Sequence, residues 1–424
     1  MIMNLFSPGR RHCLRVMASI PFAYSPPSPG QSISKGGLPR SPPVWAGFGL
    51  NGSAGEGRYE ITREFVREFV RKKNLPLEST ETFPFIQEPL KQLLASQHIG
   101  RIQFKDQVEF GEELLIGFAH DFESAVGARL EKDGVSANTL FIFMSGVGMI
   151  LSFSTSTGWR IVSSFPFMLR VERLGGDLKN IKAKAVDHLE DAYKSYANAF
   201  GHFLGRFNKW DKGFSSNYFA RLTRASIHDD VKGKLSTFGL QKTLTAELLG
   251  FSTSSALCDS LDIPLLPYQE NDALAKRYAV KFSDSLTAQN KIEIPDADLK
   301  FEIVLRDLDK QVIHSSQRGV TILRRKVVVR MIVYDEYSNL PDKKILNVLA
   351  SSSGEDRIPL NSTEDDTPER DLVFYDRLLS QTFANLLRGM ATQNENTLAQ
   401  AEVKLSFVAP ALPRLLELCA KTRG

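Results

Sequence analysis

Apolar positions along this chain fall into two runs of one kind, each a pair of β-patterned segments followed by a long amphipathic helix. The first runs from Leu140 to Phe153, turns around Thr157-Gly158-Trp159, continues from Arg160 to Val171, and leads to a helix from about Val186 to Phe207. The second runs from Arg324 to Tyr334, turns around Ser338-Asn339-Leu340-Pro341, continues from Lys344 to Ala350, and leads to a helix from about Leu372 to Met390. Val186, Leu189, Tyr193, Tyr196, Phe200, Phe203 and Phe207 recur at intervals of three and four, which stacks them on one helical face. Trp159, Ile161, Phe165 and Phe167 alternate along the preceding hairpin and offer that stripe a sheet to cover. In the second run Val327, Val329, Met331 and Val333 point to one face, and Lys326, Val328, Arg330, Ile332 and Tyr334 to the other, so one face is core and one is half wet. Thr367-Pro368-Glu369 reads as an N-cap, a first-turn proline and a first-turn acid, ahead of the stripe Tyr375, Leu379, Phe383, Leu386 and Met390.

Other segments fill in around these runs. Ile61 to Lys73 places Ile61, Phe65, Val66 and Phe69 on one helical face, and a second helix is expected from Ile86 to Gln97. Ile102–Phe104, Val108–Phe110 and Leu114–Phe118 read as short strands. Asp121 to Leu130 reads as a helix because Phe122, Val126 and Leu130 are spaced by four; Asp272 to Leu286, with Leu274, Tyr278 and Phe282, reads likewise. Thr243–Leu249 looks helical, and Cys258–Gln269, with Pro264 and Pro267, looks like an extended linker. The predicted fold is α+β, with two similar modules, each a small antiparallel sheet packed against amphipathic helices. The expected division is a head at 1–57, a first domain at 58–255, a linker at 256–270 and a second domain at 271–424. The acidic stretch Glu355 to Asp371 is expected to be a solvated loop.

Composition changes the picture mainly at the N-terminus. A chain of 424 residues with 42% hydrophobic and 24% charged side chains is long enough for two ordinary cores. Its net charge of +4 is concentrated in residues 1–55, which carry Arg10, Arg11, Arg15, Lys35 and Arg40 and no acid, so the body is close to neutral. That body lacks the overall footprint of a nucleic-acid binder. Eight of the 20 prolines and eight of the 29 glycines share the same head, which is therefore expected to be disordered. Its basic residues suit a targeting segment or a flexible arm, but Arg15 and Pro21 interrupt any signal-peptide core, and Met1, Met3 and Met17 also allow a later start. No window reaches the ~20 apolar residues of a membrane-spanning helix, so a soluble protein is expected, with cytoplasm and periplasm both open. Cys13, Cys258 and Cys419 are too few and too scattered for a disulfide framework or a zinc site.

Candidate chemistry is sparse. Gly47-Phe48-Gly49-Leu50-Asn51-Gly52 matches G-x-G-x-x-G, but Pro42-Pro43-Val44-Trp45 does not read as the buried strand that a dinucleotide loop requires. His120-Asp121 and His228-Asp229-Asp230 are the places where histidine adjoins carboxylates, and together they would suit a metal-dependent hydrolase; surface loops explain them more simply. Asp296/Asp298 and Asp307/Asp309 resemble magnesium-holding pairs and equally resemble turn caps. Arg318, Arg324, Arg325, Lys326 and Arg330 form the densest basic cluster of the body and, with the head, would support a weak nucleic-acid binder. On a strand, however, these side chains split between two faces. His202 falls off the aromatic stripe and is expected at the surface.

No catalytic, cofactor-binding or metal-binding residue is assigned on this basis, and no cofactor is implied. The expected function is a non-catalytic binding or assembly protein whose half-wet strand faces and sheet edges meet a protein partner or a second copy. The order of elements resembles the strand-hairpin-helix modules of bacterial envelope assembly proteins, which implies assembly work in the cell envelope; the likeness is topological and no residue motif carries it.

Overall fold

The structure, a computed structural model, describes residues 44–51, 59–76, 83, 85–86, 89, 92, 114–132, 135–154, 158–174, 180–209, 218–269, 277–282, 290–315, 319–360 and 366–423. The head at 1–43, the strands expected at Ile102–Phe104 and Val108–Phe110, most of Ile86–Gln97, and Arg318 lie outside the described residues. The first module comprises β1 (Val44–Asn51), α1 (Glu60–Lys72), β2 (Leu114–Lys132), β3 (Val135–Ser154), β4 (Gly158–Leu174) and α2 (Ile181–Lys209). The second comprises β5 (Ala220–Ile227), α3 (Asp229–Thr237), α4 (Ala246–Leu261), β6 (Arg277–Phe282), β7 (Asn290–Glu293), β8 (Leu299–Ser315), β9 (Val320–Asp335), β10 (Lys344–Pro359) and α5 (Pro368–Thr392). Three short helices follow: α6 (Glu395–Ala399), α7 (Leu405–Val408) and α8 (Leu412–Thr422). The fold is α+β, with two sheets covered by helices, as the patterning predicts.

The likeness of the modules extends to their irregularities. In each, three long strands form an antiparallel meander, and a short strand runs parallel to the first of them, β1 beside β2 and β5 beside β8. The short strand is bulged at Ala46 in one module and at Thr223 in the other. Four residues later Leu50 pairs with His120 and Ile227 with Leu305, and the meander strand bulges at the next residue, Asp121 or Arg306. Bulges re-aim a strand and are seldom incidental, so their coincidence fixes position-by-position equivalence between the modules. The helices agree: Val186, Leu189, Tyr193, Tyr196 and Phe200 of α2 match Leu372, Tyr375, Leu379, Thr382 and Leu386 of α5 in spacing, and all ten are buried.

Several expectations require correction. Val44–Asn51 is a buried strand and not part of a disordered head; Gly47 adopts φ 104 beside the bulge, a conformation that L side chains rarely adopt. Asp121–Leu130 continues β2, and Arg277–Phe282 is strand β6. Both were expected to be helical on a spacing of four, but four is also a multiple of the strand period, so residues at that spacing share a strand face as well. The shared order is therefore strand, helix, three strands, helix. Neither sheet is purely antiparallel, because β1–β2, β4–β7 and β5–β8 run parallel. Trp159 and Ile161 part company with Phe165 and Phe167, because a bulge opposite Ile150–Leu151 shifts the register between them. The first pair joins the core on one side of the sheet and the second packs against the other.

Strands also cross the expected domain boundary. β6 pairs with β1, and β7 with β6 and β4, closing the first sheet into a barrel β1-β2-β3-β4-β7-β6; the second is an open sheet, β10-β9-β8-β5. Val44, Ala46, Leu115, Ala119, Val147, Met149, Leu151, Trp159, Ile161 and Ile292 are packed in one cluster of this sheet. Residues 262–269 are a packed strap: Leu265 N donates to Ser164 O (3.0 Å), Leu266 N to Ala220 O (2.8 Å), and Ile263, Leu265, Leu266 and Tyr268 are buried. Ion pairs join the modules, Arg170 of β4 with the buried Asp376 of α5, and Arg377 with Glu172 at 3.3 Å.

Helix α4 packs against β4, β5 and α5 and is buried along most of its length, which explains its small residues. Ser255 Oγ accepts the Met168 amide at 3.0 Å, and Gly250 lies under the Tyr268 ring. A Cβ at residue 250 would meet that ring at 2.2–2.6 Å. Gly250→Ala is accordingly expected to lower stability by about 2–3 kcal/mol through overpacking, read as a reduced urea midpoint with unchanged slope; a cost under ~0.5 kcal/mol would contradict this packing. Among the described residues no helix is long and apolar enough to cross a membrane.

Candidate functional site

The first module buries a polar cluster where β1, β2, α1 and α2 meet. Helix α1 begins after Tyr59, whose side chain gives it no cap, so its first amides need an acceptor from elsewhere. Glu123 of β2 supplies it: Oε1 accepts from Ile61 N at 2.8 Å, and both carboxylate oxygens lie 3.2 Å from Thr62 N. The anion also sits at the favourable end of the helix dipole. Thr62 Oγ1 bonds Glu123 Oε2 and lies 2.6 Å from the Tyr193 hydroxyl. His120 places Nδ1 2.7 Å from the Tyr196 hydroxyl and Nε2 3.4 Å from Glu123 Oε2. Asn51 Nδ2 donates to Asp121 Oδ1 at 3.0 Å, and the Tyr59 hydroxyl reaches the carbonyls of Asn51 and Asp121 at 3.2 and 3.1 Å.

Burial, reinforced for Tyr193 by Glu123, holds the phenols of Tyr193 and Tyr196 well above the ordinary tyrosine range, so both remain protonated. His120 and the Glu123 side chain are almost fully enclosed. At equivalent positions the second module carries Leu305 for His120, Leu308 for Glu123, Leu379 for Tyr193 and Thr382 for Tyr196. The scaffold itself therefore does not demand these polar groups. The difference follows from α1, which starts eight residues beyond β1, whereas α3 starts one residue beyond β5. Displaced across β2, α1 takes its cap from Glu123.

This arrangement also answers the glycine pattern. The strand and the following helix that seemed absent are present, with β1 parallel to β2, but Gly47 and Gly49 lie within the strand and Gly52 lies outside the described residues. The amides at the start of α1, where a phosphate would bind, are occupied by Glu123.

Other candidate residues are dispersed. His120 and Asp121 belong to the barrel, while His228 stands at the start of α3 beside the open sheet, with Nδ1 3.2 Å from Asp230. Asp229 pairs with Lys232 at 2.7 Å, and that ammonium holds its carboxyl below the usual range. Among the described residues, no group of three or more His, Cys, Asp or Glu side chains could hold a metal ion. Asp298 accepts the Phe219 amide at 2.7 Å, Asp307 pairs with Lys234 at 2.6 Å, and Asp309 accepts from Gln311 at 3.2 Å; Asp296 is exposed. His202 is exposed, as expected. Cys258 and Cys419 are buried free thiols, and burial pushes Cys419 up to about 12.

The basic cluster is largely engaged. Arg324 pairs with Glu355 at 2.6 Å, Lys326 with Glu402 at 2.9 Å, and Arg330 donates to Asn347 at 2.7 Å. Arg325 is fully buried, with Nε 2.7 Å from Asp371 Oδ1 and its guanidinium over the Phe374 ring. Lys310 reaches Asp371 at 2.7 Å and also Asp366, while Arg370 grips Asp356 with two nitrogens at 2.6 and 2.9 Å. The tail of the acidic stretch is thus the start of α5 and an ion network, not a solvated loop; residues 361–365 lie outside the described residues.

What remains open is surface. Strand β8 continues past Leu305, where β5 ends, and Gln311–His314 are exposed, Val312 at 47% and Ile313 at 38%. At the opposite end of the sheet, Asp335, Tyr337, Ser338, Asn339, Leu340, Ile345, Pro410, Ala411 and Arg414 enclose a groove of about 450 Å³. A scan against protein-family models finds no match for the chain, and a search among curated proteins finds no significant similarity.

Proposed function

We propose that the chain is a non-catalytic binding or assembly protein that pairs an extended segment of a protein partner onto the bare end of β8. The supporting observation is the contrast between equivalent strand ends. In the first module the positions matching Gln311 and Ile313 are Val126 and Ala128, both buried, and Arg370 of α5 donates to the nearby Arg129 carbonyl at 3.0 Å. In the second module the same stretch is exposed on both faces. Edges of this kind are ordinarily guarded by lysine, proline or a bulge. Here Lys310 turns inward to Asp366 and Asp371, and Gln311-Val312-Ile313-His314 contains none of these guards. Such an edge suits main-chain pairing with an added strand, with Val312 and Ile313 meeting the partner on opposite faces.

A photo-crosslinking residue at Val312, in the full chain in its native cells, should give a defined adduct with one protein. Ile313→Pro, which removes an edge donor, should lower its yield at least ~10-fold, about 1.4 kcal/mol of binding, at an unchanged unfolding midpoint. An absent adduct, or one indifferent to the proline, overturns the reading.

A further inference from the structure

We propose that the groove beside the β9–β10 turn is a binding site for a neutral sugar in its pyranose ring form. The groove is shaped in advance by hydrogen bonds within its own walls. Asp335 Oδ1 accepts the Tyr337 amide at 3.0 Å, and its Oδ2 takes Arg414 Nε and Nη2 at 2.9 and 2.6 Å. Ser338 Oγ accepts the Leu340 amide at 3.2 Å. The Tyr337 hydroxyl is hydrogen-bonded to Asp298, and its ring lies 6.2 Å from that of Tyr218. A turn held in this way loses little freedom when it takes up a ligand.

The lining narrows the class of ligand. A charged molecule meets countercharges that are already neutralised. Asp335 is inaccessible and paired with Arg414, whose Nη1 also goes to Glu417 at 2.9 Å. The lysines of the turn and of α8 are paired as well, Lys343 with Glu336 at 2.6 Å, Lys344 with Asp342 at 3.1 Å and Lys421 with Glu417 at 2.7 Å. Phosphates and carboxylates are therefore disfavoured. A wholly apolar ligand is disfavoured too, because the lining is mainly polar and would give up water without replacing its hydrogen bonds. The ligand that fits is neutral, with hydroxyls on one side and C–H groups on another.

Each part of such a ring has a counterpart in the groove. Tyr337, exposed at 68%, provides an aromatic surface for the C–H groups of a sugar. The exposed Asn339 carboxamide offers both donors and an acceptor to neighbouring hydroxyls. A guanidinium has five N–H groups, and Asp335 and Glu417 engage three of those of Arg414, which leaves two for ligand oxygens. Leu340 and Pro410 border the polar groups with apolar surface. The volume of about 450 Å³ falls within the ~300–1,000 Å³ of small-molecule sites and is ample for a single ring. Competition from water keeps the affinity modest, near ~1 mM.

This site goes beyond the binding reading at β8 and uses a different surface, so purified protein tests it without any protein partner. Saturation-transfer NMR on the full chain, titrated with the methyl glycosides of glucose, galactose, mannose and N-acetylglucosamine, should reveal saturable binding of at least one, with Kd about 0.3–5 mM. Tyr337→Ala should weaken that binding at least ~10-fold and Asn339→Ala about 5-fold, at an unchanged urea midpoint because both side chains are exposed. Tyr337→Trp should retain it. A trisaccharide of the same sugar that binds more tightly than its glycoside supports a site for a glycan chain, and equal binding supports a site for the free sugar. The proposal is overturned by the absence of saturable binding up to ~50 mM, by binding indifferent to both alanine variants, or by tighter binding of glucose 6-phosphate than of glucose.

Discussion

Replacing Asp371 with alanine should cost about 3–5 kcal/mol, the characteristic loss when one member of a buried ion pair is removed. The carboxylate is nearly inaccessible and serves two cations, the fully buried Arg325 and the mostly buried Lys310. Without it Arg325 keeps Asp356, at 3.7 Å, and the face of the Phe374 ring. A fully buried guanidinium left without an adequate partner explains why the loss exceeds that of a surface pair; Lys310 retains Asp366. Exposed Arg324–Glu355, by comparison, should contribute under ~1 kcal/mol. Replacing Lys310, Arg325 and Asp371 together by Met, Met and Leu should recover most of the lost stability, because apolar groups of similar volume avoid the desolvation cost. Urea unfolding of both variants checks this; an Asp371→Ala penalty below ~1 kcal/mol would mean that the network does not carry the packing of α5 onto the sheet.

Glu123→Ala should follow closely, at about 3–4 kcal/mol, combining a lost helix cap of ~1 kcal/mol with buried donors left unsatisfied at ~1–3 kcal/mol each. The amides of Ile61 and Thr62 depend on this one carboxylate, and the hydroxyl of Thr62 divides its bonds between it and Tyr193. The substitution should speed hydrogen exchange across the first turn of α1 well before it affects β2 or β3. Glu123→Gln keeps an acceptor oxygen and should cost less. Glu123→Leu should not rescue stability, although Leu308 fills the equivalent position in the second module. There the helix begins directly after its strand, and no displaced helix end faces the leucine.

These two sites show how far patterning reaches along a chain. The long strands and both principal helices were legible because their apolar periods are strong and uninterrupted. Tyr193 and Tyr196 were identified as core, which is their burial but not their hydroxyl chemistry. Spacing by four misassigned Phe122-Val126-Leu130 and, within the described residues, Tyr278 and Phe282, since it satisfies helix and strand alike. The bulges at Ala46 and Asp121 carry no composition signal beyond Gly47, so the faces of their strands could not be followed past them. His120 and Asp121 stood out as neighbours, but they turn to different partners: His120 meets Glu123 three residues on and Tyr196 on α2, and Asp121 meets Asn51. The Arg325 cluster reads as basic surface in the sequence because its acids arrive from β10 and the start of α5. Charge pairing at such separations depends on tertiary approach, for which sequence offers no local cue.

Closure of the barrel has a bearing on how the protein is made. Strand β1, near the start of the chain, obtains its second neighbour only from β6, which is translated after the whole first module and after α4. A ribosome releasing residues at ~5–20 per second would hold β1 with one bare edge for many seconds after its own meander is complete. The pairing also spans most of the sequence, which makes it a late and slow event in refolding. Fragments that stop at the end of α2 leave the barrel open along β1 and β4, and expression of such a fragment should yield an aggregation-prone product in place of a free-standing half.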